Sequence, residues 1–167
     1  IAEALTLPGE STLTEQMEIV DPELLFAARC GLARFLAHGL ESDLLRLYHA
    51  LAPTAPYQPD NLGAARRRLR NLCLGYLNEL DSPEYRALAR QQFDATDNMT
   101  DQFAALSVLA NASGEEGELA LADFYARWQG EALVVDKWLA VQSSSRLSGT
   151  LARVESLTRH AAFDIRN

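Results

Sequence analysis

Residues 97–142 read DNMTDQFAALSVLANASGEEGELALADFYARWQGEALVVDKWLAVQ, and this stretch decides the fold. It contains both tryptophans, Trp128 and Trp138, and divides into three short helical patterns separated by two brief polar breaks. Met99, Phe103, Leu106 and Ala110 recur at three and four, as do Leu121, Phe124, Tyr125 and Trp128, then Val135, Trp138 and Leu139. That spacing gathers side chains on one side of a 3.6-residue helix, so each segment predicts a helix with an apolar face. Gly114, Gly117 and Gly130 are expected at the joins. Asp94, Asp97 and Asp101 lack the sixth-position glycine and twelfth-position glutamate of a calcium loop, so Asp97 or Asn98 is expected to cap a helix instead.

The same rules extend outward. Asp21-Pro22-Glu23 offers an N-cap acceptor, a proline at the first helical position and an acid in the first turn. Leu25, Ala28, Leu32, Phe35, Leu36 and Leu40 follow as one stripe, with Gly39 expected to end that helix and a second to run over residues 41–51. Pro53, Pro56 and Pro59 force a loop, because each lacks an N–H. Residues 61–80 predict the longest helix, with Leu62, Ala65, Leu69, Leu72, Cys73, Tyr76, Leu77 and Leu80 inward. Asp81-Ser82-Pro83-Glu84 repeats the start signal ahead of Tyr85, Leu88, Ala89 and Phe93, and a last helix carries Leu151, Val154 and Leu157. A short helix is expected near residues 11–19, and residues 1–10, with Pro8-Gly9, read as a linker. No period-two alternation appears. The expectation is an all-α chain of about eight or nine helices, in antiparallel pairs stacked as an irregular α-solenoid or superhelix.

At 167 residues the chain has room for one real core, and 48% hydrophobic with 23% charged residues is ordinary globular composition. A net charge of -8 argues against nucleic acid or an anionic membrane surface as partner. No run reaches the length of a membrane span, and no signal segment opens the chain. Cys30 and Cys73 fall on apolar faces, as free thiols or, if their Cα separation allows, a disulfide.

Chemistry is hard to place. His38, His49 and His160 form no H-E-x-x-H, and His38 with Glu41 is read as a helix end rather than a ligand pair. There is no G-x-S-x-G, P-loop or G-x-G-x-x-G, and neither cysteine has a histidine near it in sequence. Arg66, Arg67, Arg68 and Arg70 read as a solvated face, or else as a docking surface for an acidic partner or a peptide carboxylate. Asp136-Lys137 is an exposed pair, or Asp136 is partly buried and bridges a neighbouring helix. Asn98-Met99-Thr100 and Asn111-Ala112-Ser113 match the glycosylation sequon and are read as chance. No catalytic, cofactor-binding or metal-ligating residue is assigned.

Taken together, Asp97-Asn98-Met99-Thr100-Asp101, Ala104-Ala105-Leu106, Phe124-Tyr125, Trp128 and Leu133-Val134-Val135-Asp136-Lys137-Trp138 resemble the C-terminal helical domain of the bacterial aminopeptidase N family of zinc alanyl aminopeptidases. Leu7-Pro8 with Glu15, Val20-Asp21-Pro22, Ala65-Arg66-Arg67 with Leu69-Arg70-Asn71-Leu72, Arg90-Gln91-Gln92-Phe93, and Arg159-His160 with Phe163 extend the likeness over nearly the whole chain. These pieces are weak singly and specific in combination. The resemblance implies a parent enzyme that cleaves single N-terminal residues from peptides, with zinc held by H-E-x-x-H and a downstream glutamate, and the free amino terminus read by G-A-M-E-N. None of those elements occurs here, so zinc is expected in the parent, bound outside this chain, and none in this chain itself.

On that reading residues 1–10 are a linker from the preceding domain, and residues 11–167 a helical C-terminal domain, truncated at its C-terminal end. Its expected partners are upstream catalytic and β-sandwich domains of the same polypeptide and, in the parent, peptide substrates. The domain is expected to cover the active-site chamber and limit access, in the bacterial cytoplasm. The isolated chain is expected to be inactive, monomeric or weakly self-associating, and to expose an apolar surface where the rest of the parent packs. The rival expectation is a free-standing helical scaffold that binds a partner protein. A helical enzyme of unrecognised type is disfavoured by the lack of a clustered His, Cys or acid constellation.

Overall fold

The structure, a computed structural model, describes residues 2–112 and 114–166, and among them are nine helices and no strand. Ile1, Ser113 of the second sequon and Asn167 lie outside the described residues. The chain forms two compact units, residues 1–85 and 86–167.

The first unit is built on α3 (Pro22–Ala50) and α4 (Asn61–Asn78), preceded by the short α1 (Ala2–Leu5) and α2 (Glu10–Thr14). Both long helices start as their sequences dictate. The Asp21 carboxylate accepts from the N–H groups of Glu23 and Leu24 at 3.1 and 3.0 Å, with Pro22 in the first turn. Asp60 accepts from Gly63 N–H at 2.8 Å. The expected break at Gly39 is absent. Gly39 keeps ordinary helical backbone, positive φ being confined among described glycines to Gly114 and Gly149. Leu40 and Leu44 then continue the inward row of a single 29-residue helix, so His38 and Glu41 share one helix.

The inward side of α3 also differs from expectation. Ala37, Leu44 and Tyr48 are buried toward α4, which offers Cys73, Leu74, Tyr76 and Leu77. Leu32 and Phe35, predicted inward, are 47% and 74% exposed. The cause is that α3 is apolar nearly all round, so periodicity alone does not choose a face. Leu62 and Leu151, also predicted inward, are 71% and 74% exposed, each in the first turn of its helix.

The arginine run of α4 is put to internal use. Arg70 lies over the Tyr48 ring and donates to its hydroxyl at 3.0 Å, Arg67 lies over Tyr57, and Arg68 pairs with Glu3 of α1. Tyr76 donates to the Leu5 carbonyl at 2.6 Å, so residues read as linker form a helix docked on α4.

The boundary between units falls within α5 (Pro83–Ala95). The second unit continues with α6 (Met99–Leu109), α7 (Glu116–Trp128), α8 (Ala132–Ser143) and α9 (Thr150–Leu157), each packed on the next. Phe93, Leu106, Leu109 and Phe124 are its most buried large side chains. Burying Phe124 alone contributes about 2–3 kcal/mol. Gly117 is not in a join but in the first turn of α7, buried, where an added Cβ would stand 2.5 Å from the Leu109 carbonyl oxygen. Only glycine lets α7 begin that close to the end of α6. No helix among the described residues is long and apolar enough to cross a membrane.

Candidate functional site

The residues singled out in the decisive stretch meet in the second unit. Asn98 is the N-cap of α6: its Oδ1 accepts from Asp101 N–H at 3.0 Å, and its Nδ2 donates to Asp101 Oδ2 at 3.0 Å. This cap satisfies one helix-end donor, the Asp101 N–H, and places the buried Asp101 carboxylate at the positive end of the α6 dipole.

Behind the cap lies a polar seam that hydropathy did not reveal. Gln92 and Gln102 are both 3% exposed. The Gln92 amide donates to the Asp101 carbonyl at 3.1 Å, and Gln102 donates to the Phe93 carbonyl at 3.5 Å while accepting from the Trp128 indole N–H at 3.0 Å. Gln102 thus joins α5, α6 and α7. The available signal was positional, since Gln92 and Gln102 occupy inward registers, three residues from Ala89 and Ala105. A glutamine on an apolar stripe is a buried hydrogen-bonding residue in waiting.

A second cluster joins α7, α8 and the C-terminal turn. The Tyr125 and Trp138 rings lie 4.6 Å apart, and His160 stands edge-on to Tyr125 at 5.1 Å. Trp138 donates to the Leu121 carbonyl at 2.9 Å, and His160 Nδ1 accepts from Ala162 N–H at 3.2 Å. His160 therefore organises a chain turn.

Asp136 is half-buried and stands between two grooves. One is walled by Leu139, Val154, Leu157 and Phe163, with Asp164 at its edge; the other holds Gln129, Val135 and Arg166. Arg166 pairs with Asp164 at 2.9 Å and holds that carboxyl below the usual range. Lys137 is exposed, its ammonium 5.6 Å from the Phe103 ring. The residues of Asp136-Lys137 thus part company, one to a groove and one to an aromatic face.

The contacts these groups make fix helices against one another. Cys30 and Cys73 do not form a disulfide, and burial pushes the Cys73 thiol up, away from nucleophilic character. Glu41 accepts the Tyr85 hydroxyl, which makes it a packing partner rather than a ligand beside His38. Among the described residues, no three His, Cys, Asp or Glu side chains stand together in a way that could hold a metal ion, so those residues do not fit a zinc ion.

With that geometry in place, comparison with known proteins gives a consistent picture. A family model described as "Domain of unknown function (DUF3458_C) ARM repeats" matches residues 1–167. The chain is 35% identical over 163 residues to aminopeptidase N of Haemophilus influenzae, covering 98% of this chain and 18% of that protein. It is 36% identical over 163 residues to aminopeptidase N of Caulobacter vibrioides, covering 98% of this chain and 19% of that protein. A crystal structure of Legionella pneumophila aminopeptidase A in complex with aspartic acid superposes with a TM-score of 0.84 at 31% identity, over 99% of this chain and 20% of that one. The chain thus spans about a fifth of the length of the relatives it matches. The resemblance to the C-terminal part of aminopeptidase N and the all-α, solenoid-type fold are both borne out. The chain belongs to the ARM-repeat family described as DUF3458_C, a domain of unknown function.

Proposed function

We propose that this chain is a non-catalytic helical part of a zinc-dependent aminopeptidase that removes N-terminal residues from peptides, where it covers the active-site chamber and limits substrate access. The observation that carries the reading is sequence likeness to aminopeptidase N along 98% of the chain, within proteins about five times as long. In this reading residues 1–10 lead in from a preceding domain and residues 11–167 belong to the helical C-terminal domain. Catalytic and β-sandwich domains of the same polypeptide are its partners, and peptides are the parent's substrates. Zinc, which in such an enzyme polarises the scissile carbonyl and activates water, is held by residues outside this chain. What this chain's residues supply is rigidity: the Gln102 seam and the Tyr125–Trp138–His160 cluster fix helices that can carry a wall. A cytoplasmic bacterial location belongs to the same proposal, and cell fractionation tests it.

Reading the full open reading frame is the direct test. An H-E-x-x-H with G-A-M-E-N upstream is the expected result; a frame with neither motif overturns the proposal. Purified 167-residue chain should bind no stoichiometric zinc and leave an alanyl reporter uncleaved. Zinc-dependent turnover by the chain alone would overturn the non-catalytic role.

A further inference from the structure

Within the first unit, the side of α3 turned away from α4 is built for another helix. Leu24, Ala27, Ala28, Gly31, Leu32, Phe35, His38, Gly39 and Ser42 lie within about 80° of one line along α3, at 100° per residue. All nine are exposed, and none is an Asp, Glu, Lys or Arg. Phe35 precedes the buried Leu44 by nine residues, half a turn out of phase, so Phe35 points directly away from α4. From Leu24 to Ser42 the line is about 27 Å long at 1.5 Å per residue. A solvated face of that length ordinarily carries charge.

The relief of the face matters as much as its polarity. Leu24, at 69% exposed, and Phe35, at 74%, are knobs. Gly31 and Gly39 leave notches, since an added Cβ at either would meet nothing within 4 Å. Knobs beside notches are what ridge-into-groove helix packing requires. In repeat architectures a terminal face that meets water is polar, whereas a face between repeats is apolar. By that criterion the outer side of α3 is an inter-repeat face, and the chain accounts for only about a fifth of its relatives' length.

We propose that the Leu24–Phe35 face of α3 seats a helix from a neighbouring repeat of the same longer polypeptide, outside these 167 residues. Over Leu24–Ser42 the seated helix presents aliphatic and small residues without charge, because that length offers no ion to pair with; the next exposed charges on the line, Asp43 and Arg46, pair with each other. This inference rests on the part of the functional reading that makes the chain a piece of a longer protein, and not on its zinc or peptidase chemistry.

The test places Phe35→Cys, in a Cys30→Ser background, in both the 167-residue chain and the full-length polypeptide. Labelling with a thiol reagent is then read by mass spectrometry at the peptide holding residue 35. Labelling should slow at least about tenfold in the full-length protein, as for a site that reacts only on local opening. Equal rates in the two overturn the proposal. A 167-residue chain that sediments as a dimer and is made monomeric by Phe35→Glu, with no protection in the full-length protein, assigns the face to a second copy and also overturns it. An alanyl-hydrolysis assay on the full-length protein separates the two readings. Protection without hydrolysis keeps this inference and sinks the peptidase, and hydrolysis without protection does the reverse.

Discussion

The Trp128 indole N–H donates to Gln102 Oε1 at 3.0 Å, and the same Gln102 amide reaches the Phe93 carbonyl at 3.5 Å. One side chain therefore spans three helices, and it is 3% exposed, so water cannot replace it cheaply. Gln102→Leu strands the indole N–H and the Phe93 carbonyl, and should destabilise the second unit by about 2 kcal/mol, since each orphaned buried group costs ~1–3 kcal/mol before apolar gain. Trp128→Phe added to Gln102→Leu should recover part of that loss, because removing both partners is close to neutral. Urea unfolding of the four-member cycle checks this, and strict additivity would refute the pairing.

Gly117 illustrates a close approach that only a glycine permits. Its missing Cβ would lie 2.5 Å from the Leu109 oxygen, and the obstacle is backbone, which cannot rotate aside. Gly117→Ala should therefore destabilise by about 1–3 kcal/mol, although alanine is the better helix former by ~1 kcal/mol. Gly75, inside α4, meets nothing within 4 Å, so Gly75→Ala should stabilise by about 0.5–1 kcal/mol. Thermal melts of the two variants should shift in opposite directions.

Those residues show what the sequence could and could not tell. Caps were legible because they are local: Asp21 with Pro22, Asn98 and Ser82 each start a helix from within four residues. The face of α3 was not, because the apolar surface runs on from the stripe of Leu25, Leu32, Phe35, Leu36 and Leu40 to Ala37, Leu44 and Tyr48, and only α4 decides which part is covered. Gly39 and Gly117 misled for one reason: glycine marks helix ends when φ must be positive, but also sits within helices, and the letter does not say which. The Gln102 seam was half legible. Its inward register was visible, but its partners are 9 and 26 residues away. Tyr85 with Glu41, 44 residues apart, had no local signature at all.

That Tyr85–Glu41 contact has a pH signature. Donation to the Glu41 carboxylate, reinforced by burial, pushes the Tyr85 phenol from its ordinary 10.0 up to about 12. The native state then holds a proton that the unfolded chain releases between those values, so stability is intact below about pH 10 and falls as pH rises toward 12. The slope from this one group cannot exceed about 1.4 kcal/mol per pH unit. Ultraviolet titration of the five tyrosines should show a late-ionising component. Tyr85→Phe should remove it and flatten the alkaline limb, and an unchanged late component would assign it elsewhere.

The acid side is governed by a different tie. Arg153 of α9 clasps Glu118 of α7, with one contact at 3.1 Å, and also donates to Gln142 at 3.3 Å. The guanidinium holds the Glu118 carboxyl below its ordinary 4.5, and a depressed carboxylate stabilises the fold above that value and loses the effect as pH falls through the folded pKa. The side chains are 30% and 60% exposed, so solvent screening limits the pair to about 0.2–1 kcal/mol. Its effect should be local, because α9 has only eight residues and none is buried. Glu118→Gln should raise amide exchange in α9 at pH 7 while leaving α6 and α7 unchanged. Once the pH has fallen through the folded pKa of Glu118 the variant and the unsubstituted chain should exchange alike, since protonation then neutralises the carboxylate. Faster exchange throughout the second unit, or a difference that persists after Glu118 is protonated, would show that Glu118 acts through packing rather than charge.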